Sequence, residues 1–258
     1  MSTPSSTCKA PGRRPSVPWL RLATLATLAA LPLWGAACAS SQKSDTSTPA
    51  AAPAQARPAP APGLAKTTAP LVAPKSAPGE ISLFDGKTLT GWKESDFAGR
   101  GEVEVKDGRI IIGTGVMTGI TWTNEVPTNN YEISLEAMRV EGSDFFCALT
   151  FPVGKDPCSF IVGGWGGGVV GLSSLDGADA ASNETTKYLN FENGKWFAIR
   201  LRVTPEKIQA WIENEPVVDI VATDKKFSIR LEVEPSKPLG IATWSTTGAL
   251  RNLRLRRL

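Results

Sequence analysis

The 258-residue chain contains no histidine, and that absence decides what chemistry is open to it. There is no imidazole general base, no Ser-His-Asp triad and no histidine-ligated zinc. Chemistry must rest on carboxylates, Tyr, Lys, Arg or a cation held by oxygen ligands. Asp176, Asp179 and Glu184, in the loop DGADAASNET, are the oxygen ligands that could hold calcium, the one cofactor candidate; the same residues also read as a solvated acidic loop. Eight tryptophans point elsewhere. Sugars stack their C–H faces on aromatic rings, so Trp122, Trp165 and Trp244 are candidate carbohydrate contacts, and each also reads as a sandwich core residue. Trp165 lies in GGWGGG, a glycine run that brings the backbone close to a neighbour or bends a strand sharply.

The elements that must hold these residues read as strands. In GKWFAIRLRV, Phe197, Ile199, Leu201 and Val203 alternate with Trp196, Ala198, Arg200 and Arg202, giving one apolar and one polar face. Thr204-Pro205-Glu206 turns the chain into Ile208, Ala210 and Ile212, and Asn214-Glu215-Pro216 turns it again. YEISLEAMRV sets Tyr131, Ile133, Leu135 and Ala137 against Glu132, Ser134, Glu136 and Met138. Asp107-Gly108 reads as the turn of a hairpin from Glu102 to Ile112, and Phe227 to Val233 as a further strand. About a dozen strands and no convincing amphipathic helix define an all-β sandwich or jelly roll over residues 80–258. Cys147 and Cys158, in neighbouring strand-like runs, are a candidate disulfide, with two buried thiols as the alternative.

The first 79 residues are of another kind. Lys9, Arg13, Arg14 and Arg21 precede an apolar run from Leu22 to Trp34, too short for a membrane span and suited to a signal peptide. The run ends in Gly35-Ala36-Ala37-Cys38, which resembles a bacterial lipobox with Cys38 as the lipidated residue; cleavage after Ala39 is the competing reading. Residues 1–39 are thus an export signal and residues 40–79 an Ala/Pro-rich disordered tether. The expected location is the periplasm or the outer membrane, as a lipoprotein anchored to the membrane through Cys38. The net charge of +3 is carried by this part: residues 1–78 hold 8 basic and 1 acidic side chain, leaving 20 basic and 24 acidic beyond. A mildly acidic domain argues against a nucleic-acid partner.

ISLFDGKTLTGW at residues 81–92 resembles the opening of the bacterial domain of unknown function 1080, also called the 3-keto-disaccharide hydrolase domain. Leu250-Arg251-Asn252-Leu253-Arg254-Leu255 looks like that family's closing "FRNIRI" strand, and EVEVKDGRIII and GKWFAIRLRV follow its order. The resemblance covers essentially residues 80–258 and implies a concanavalin-A-like jelly roll whose concave sheet and rim loops carry ligands. Where the family carries "NSG", "YEVQIxD" and "LQDHG", this chain reads Gly142-Ser143-Asp144, SFIVGGW and ATWSTTG. The implied activity, cleavage of glycosidic bonds of 3-keto sugars, needs no histidine. A ketone at C3 acidifies the C2 proton, a carboxylate removes it, and the glycosidic oxygen leaves. On that resemblance Glu136 is the expected base and Asp144 the second choice, with Arg139, Arg200 or Arg202 beside the enolate oxygen. The departures keep a second function open, a non-catalytic glycan-binding or adhesion module on the same fold.

Overall fold

Residues 79–258 are described by the computed structural model; the expected export signal, Cys38 and the expected tether up to residue 78 lie outside the described residues. The alternating runs become fifteen strands: β1 (Glu80–Ser82), β2 (Trp92–Glu94), β3 (Val103–Lys106), β4 (Arg109–Ile112), β5 (Met117–Trp122), β6 (Tyr131–Gly142), β7 (Cys147–Val153), β8 (Asp156–Gly164), β9 (Val169–Ser173), β10 (Lys187–Tyr188), β11 (Trp196–Val203), β12 (Lys207–Ile212), β13 (Glu215–Val221), β14 (Gly240–Trp244) and β15 (Thr246–Arg257). They form two antiparallel sheets. One runs β13-β12-β11-β6-β15-β4-β3, with β1 also on β15, and the other runs β10-β9-β8-β7-β14-β5-β2.

The predicted alternation is what packs the sheets together. Tyr131, Ile133, Leu135 and Ala137 of β6 and Phe197, Ile199, Leu201 and Val203 of β11 are buried in the layer between the sheets. They meet Leu149, Phe151, Phe160, Val162 and Leu172 from the seven-stranded sheet. Each such fully buried side chain contributes about 1.5–3 kcal/mol. The result is a jelly-roll β-sandwich.

The opening motif serves the fold. The carboxylate of Asp85 accepts N–H bonds from Lys87 and Thr88, both at 2.7 Å, and the turn continues through Gly86 at φ 78°. The chain then returns so that the Trp92 indole N–H donates to the Leu83 carbonyl at 2.7 Å inside the core.

Two expectations are corrected. Cys147 and Cys158 are free and fully buried. On β7 and β8, Cys147 pairs with Val162 and Cys158 with Phe151. The two cysteines are therefore offset by four residues, roughly 13 Å along the strands, far beyond the reach of a disulfide. Burial pushes both thiols up to about 12. The second correction concerns Phe227 to Val233. Phe227 makes one isolated bridge to Leu175, and Leu231–Ser236 is a 3-10 helix. Pro235 and Pro238 lack the N–H a ladder needs, so this alternating stretch crosses the outer face of the seven-stranded sheet instead of joining it. Ser236 lies so close to Gly240 that a Cβ there would stand 2.5 Å from the Ser236 carbonyl oxygen.

Peptide mapping after alkylation without reductant tests the cysteine assignment. Cys147 and Cys158 should be unmodified in the native protein at pH 8 and both fully alkylated in denaturant; a Cys147–Cys158 linked peptide would contradict it.

Candidate functional site

Alternate residues of the seven-stranded sheet face away from the core, and on that outer face the chain builds a cleft of about 230 Å³. Ser173, Ser159 and Ile161 line its floor, in two rows of the sheet. Ser173, Ser159 and Thr150 stand opposite one another across β9, β8 and β7, and Ile161 and Ala148 form the next row. Ser159 and Thr150 share a hydrogen bond at 2.8 Å, whereas the Ser173 hydroxyl, in a residue only 2 % exposed, has no protein partner. A buried hydroxyl without a partner carries an unmet desolvation cost. This one lines the cleft, where a ligand hydroxyl would meet it.

Aromatic rings wall one end. Phe145 and Trp244 pack with ring centroids 6.4 Å apart, and Trp165 stands beside them at the mouth. The Trp165 turn is held from below. Asp144 Oδ2 accepts the Gly166 N–H at 3.1 Å and Oδ1 accepts the Phe145 N–H at 2.7 Å, so the carboxylate is fixed in orientation by the main chain. Arg139 is buried under the same turn and donates to the Gly167 carbonyl at 2.9 Å. Its guanidinium lies 5.4 Å from the Phe146 ring centre. Burial lowers its pKa, and nearby Asp144 opposes that shift. The glycine run follows from this packing: a Cβ at Gly167 would stand 2.6 Å from Arg139 Nη1, and one at Gly163 would stand 2.9 Å from the Phe146 ring.

The far wall is the segment that leads into the 3-10 helix. Arg230, Glu232 and Val233 line the cleft there. Arg230 donates to Glu232 Oε1 at 2.9 Å and reaches Asp179 Oδ2 at 3.3 Å. The hydrogen bond from Arg230 holds the Glu232 carboxyl below its ordinary value, and the same bond raises the guanidinium.

The predicted residues therefore separate. Asp144, Trp165 and Trp244 meet at the cleft, and Arg139 positions the turn beneath it. Trp122 points to the other side of its strand and meets Trp92 edge-on at 5.1 Å. Glu136, Arg200 and Arg202 lie on the outer face of the eight-stranded sheet, across the whole core from the cleft. There Glu136 is clasped by Arg251, with Nε at 2.8 Å and Nη2 at 2.5 Å, and by Asn252 Nδ2 at 2.6 Å. Arg200 and Arg202 bind Glu132, and Arg200 stacks on Trp211 at 3.8 Å. A carboxylate so engaged is a structural clasp. The calcium candidates also part: Asp176 and Glu184 pair with Lys225 and Asp179 with Arg230, and no metal-binding cluster occurs among the described residues.

Sequence reasoning missed Arg230, Glu232 and Ser173. Arg230 and Glu232 were hidden because FSIRLEV alternates like a strand; the prolines that follow were the available signal. Nothing in the sequence marked Ser173.

The jelly roll thus carries, on the outside of one sheet, a mainly apolar, aromatic-walled cleft into which a few polar groups project. Residues 79–256 match the model of the 3-keto-alpha-glucoside-1,2-lyase-like domain, and the chain belongs to that family. Solved structures similar to it include the carbohydrate-binding module CBM66 from Bacillus subtilis, at 12% identity over 64% of this chain and 95% of that one, with a TM-score of 0.43. Another is domain 4 of AbnA, an extracellular arabinanase from Geobacillus stearothermophilus, at 13% identity over 69% of this chain and 91% of that one, with a TM-score of 0.45. The Crh5 transglycosylase is 11% identical over 69% of this chain and 84% of that one, with a TM-score of 0.49. No curated protein sequence matches this chain.

Glu136→Ala should lower stability by about 1–2 kcal/mol, because it leaves Arg251 and Asn252 without their acceptor while part of that site is solvated. Urea unfolding measures this. Sugar binding or turnover at the cleft should be unchanged, and a selective loss of either would return Glu136 to the functional site.

Proposed function

We propose that the cleft binds a glycoside whose ring carries a ketone at C3 and cleaves it by elimination. The observation that carries this reading is the meeting, in one small cleft, of a main-chain-fixed carboxylate (Asp144), a guanidinium (Arg230) and the rings of Phe145, Trp165 and Trp244. Family membership supplies the substrate class.

The chemistry follows from the groups present. The ketone acidifies the C2–H bond, and Asp144 takes that proton while the electrons move onto the C3 oxygen as an enolate. Arg230 is the cation on hand for that oxygen. Return of the electrons forms the C1=C2 double bond and breaks the bond from C1 to the glycosidic oxygen, which leaves and regains a proton as an alcohol. Water adding across C1=C2 gives net hydrolysis. Asp144 suits the base because its two N–H bonds hold it in place and leave further lone pairs for the substrate. Glu232 is committed to Arg230, which keeps it ionised and the guanidinium placed.

Incubation with matched glycosides, each parent sugar beside its 3-keto form and followed by NMR, should show release from the keto form alone. Asp144→Asn should lower kcat by about 10²–10⁴-fold, with Glu136→Gln close to wild type. Release from the parent sugars, or an unimpaired Asp144→Asn, would refute the assignment. Silence on both sugars with line-broadening of one would identify a binding module.

We read the chain further as an exported lipoprotein, on the apolar run Leu22–Trp34 and the small residues before Cys38. In a bacterial host an alkynyl fatty acid should label the full chain, and Cys38→Ala should abolish the label; equal labelling of both would rule out this anchor.

A further inference from the structure

We propose that Tyr188 and Trp165 form a second sugar platform beside the cleft, which holds the leaving-group sugar of a 3-keto disaccharide. The assignment rests on the elimination reading above and names the part of the substrate that reading leaves open. At about 230 Å³ the cleft falls below the ~300–1,000 Å³ of sites that enclose a drug-sized ligand. It suits one ring, and the second ring is assigned to the margin outside.

The structure offers one edge for that ring. Tyr188 of the edge strand β10 stands directly opposite Val169 of β9, and directly opposed residues project from the same face. Val169 belongs to the apolar cluster of Phe145, Ile161 and Ala148 on the cleft side of the sheet. Val169 is also paired with Gly164, the residue before Trp165, and the Leu189 N–H donates to the Gly168 carbonyl at 2.9 Å. The turn that carries Trp165 and the strand that carries Tyr188 are thus hydrogen-bonded into one margin.

The side chains on that margin are open to solvent. Tyr188 is 73 % exposed, Trp165 44 % and Leu189 37 %. Single exposed apolar residues are ordinary, but a group of them on a margin hydrogen-bonded to a cleft-lining turn marks a place where something binds. The platform side chains are uncharged. The nearest cation in the strand, Lys187, pairs with core-facing Val170 and donates to the Pro216 carbonyl on another element. Flat aromatic faces without a cation suit a neutral pyranose, not a sulfated or uronic one. Asp144 joins the platform to the cleft. Its carboxylate holds Gly166, next to Trp165, so the group assigned to the C2 proton lies beside the turn that carries the platform.

The test compares kcat/KM for a 3-keto disaccharide and for methyl 3-keto-glucoside, using the full chain. Tyr188→Ala should lower the disaccharide value about tenfold, the scale of one aromatic contact, and leave the methyl glycoside value unchanged. Tyr188→Phe, which keeps the ring, should behave like wild type. Equal losses on both substrates, or no loss on the disaccharide, would overturn the platform. If wild type turns over neither substrate, the elimination reading fails, and tryptophan fluorescence titration with the parent disaccharide and methyl glucoside decides the platform alone. Tighter binding of the disaccharide that Tyr188→Ala abolishes would support it; equal affinities, or no binding of either, would overturn it.

Discussion

The polar end of the cleft depends on the seam between β6 and β15, the two 12-residue strands at the middle of the eight-stranded sheet. Their register is fixed by charge as well as by apolar burial. At the bulge between Arg251 and Arg254 an extra residue turns Asn252 toward the outer face, so that it and Arg251 reach the single carboxylate of Glu136. Four residues back along β6, Glu132, with a side chain only 10% exposed, accepts Arg256 from β15 and Arg200 and Arg202 from β11. A carboxylate so nearly buried must be paired. A one-residue slip would drive both glutamates into the core and empty both sites at once.

The seam determines where the chain changes sheets, and the two changes of sheet build the end of the cleft that holds Asp144. β6 ends with Gly142 opposite Thr246, where a Cβ would stand 2.8 Å from the Thr246 Cα. The chain crosses to β7 through Asp144, whose N–H donates to Thr246 Oγ1 at 3.1 Å. It returns from β14 to β15 through Trp244 and Ser245, and the Trp244 N–H donates to the Phe145 carbonyl at 3.1 Å. Asp144, Phe145 and Trp244 are neighbours because these two crossings are stitched to each other. The Arg251-Asn252 pair braces Glu136 on the outer face, one contact among several; the apolar burial of β6 and the arginines on Glu132 hold the same register without it.

The alternation of β6, β11 and β12 and the Asp107-Gly108 turn were legible, because burial of one face dictates a period of two. The glycine run was legible as a close approach, though not that the neighbours would be Arg139 and Phe146. What alternation cannot tell is which outer face carries the cleft. Glu136 and Asp144 are equally polar in the sequence, yet one faces a lattice of arginines and the other the aromatic cleft. The difference lies in the segments that roof the seven-stranded sheet, and these have no period. Cys147 and Cys158 failed for a related reason: strand pairing was readable, but a four-residue offset was not.

The acidic loop that suggested calcium belongs to that roof. Asp176 accepts the Lys226 N–H at 2.9 Å and meets Lys225, Glu184 meets the same lysine, and Asp179 meets Arg230. The three acids thus tie residues 176–184 to residues 225–230, the two stretches that pass over β9 and lead into the far wall. Exposed pairs of this kind are individually weak, but these are supported by main-chain bonds. Ser174 and Ser228 exchange N–H bonds at 2.6 and 3.1 Å, and Leu175 bridges to Phe227. The Lys226 N–H bond lowers the Asp176 carboxyl first and Lys225 adds to it, as Arg230 does for Glu232, so both carboxyls stay ionised at neutral pH and the ties hold there. Arg230 is thus held by two carboxylates, Asp179 and Glu232, where it and Glu232 line the cleft. That arrangement keeps a guanidinium charged and in place at the cleft, without fixing it in the core.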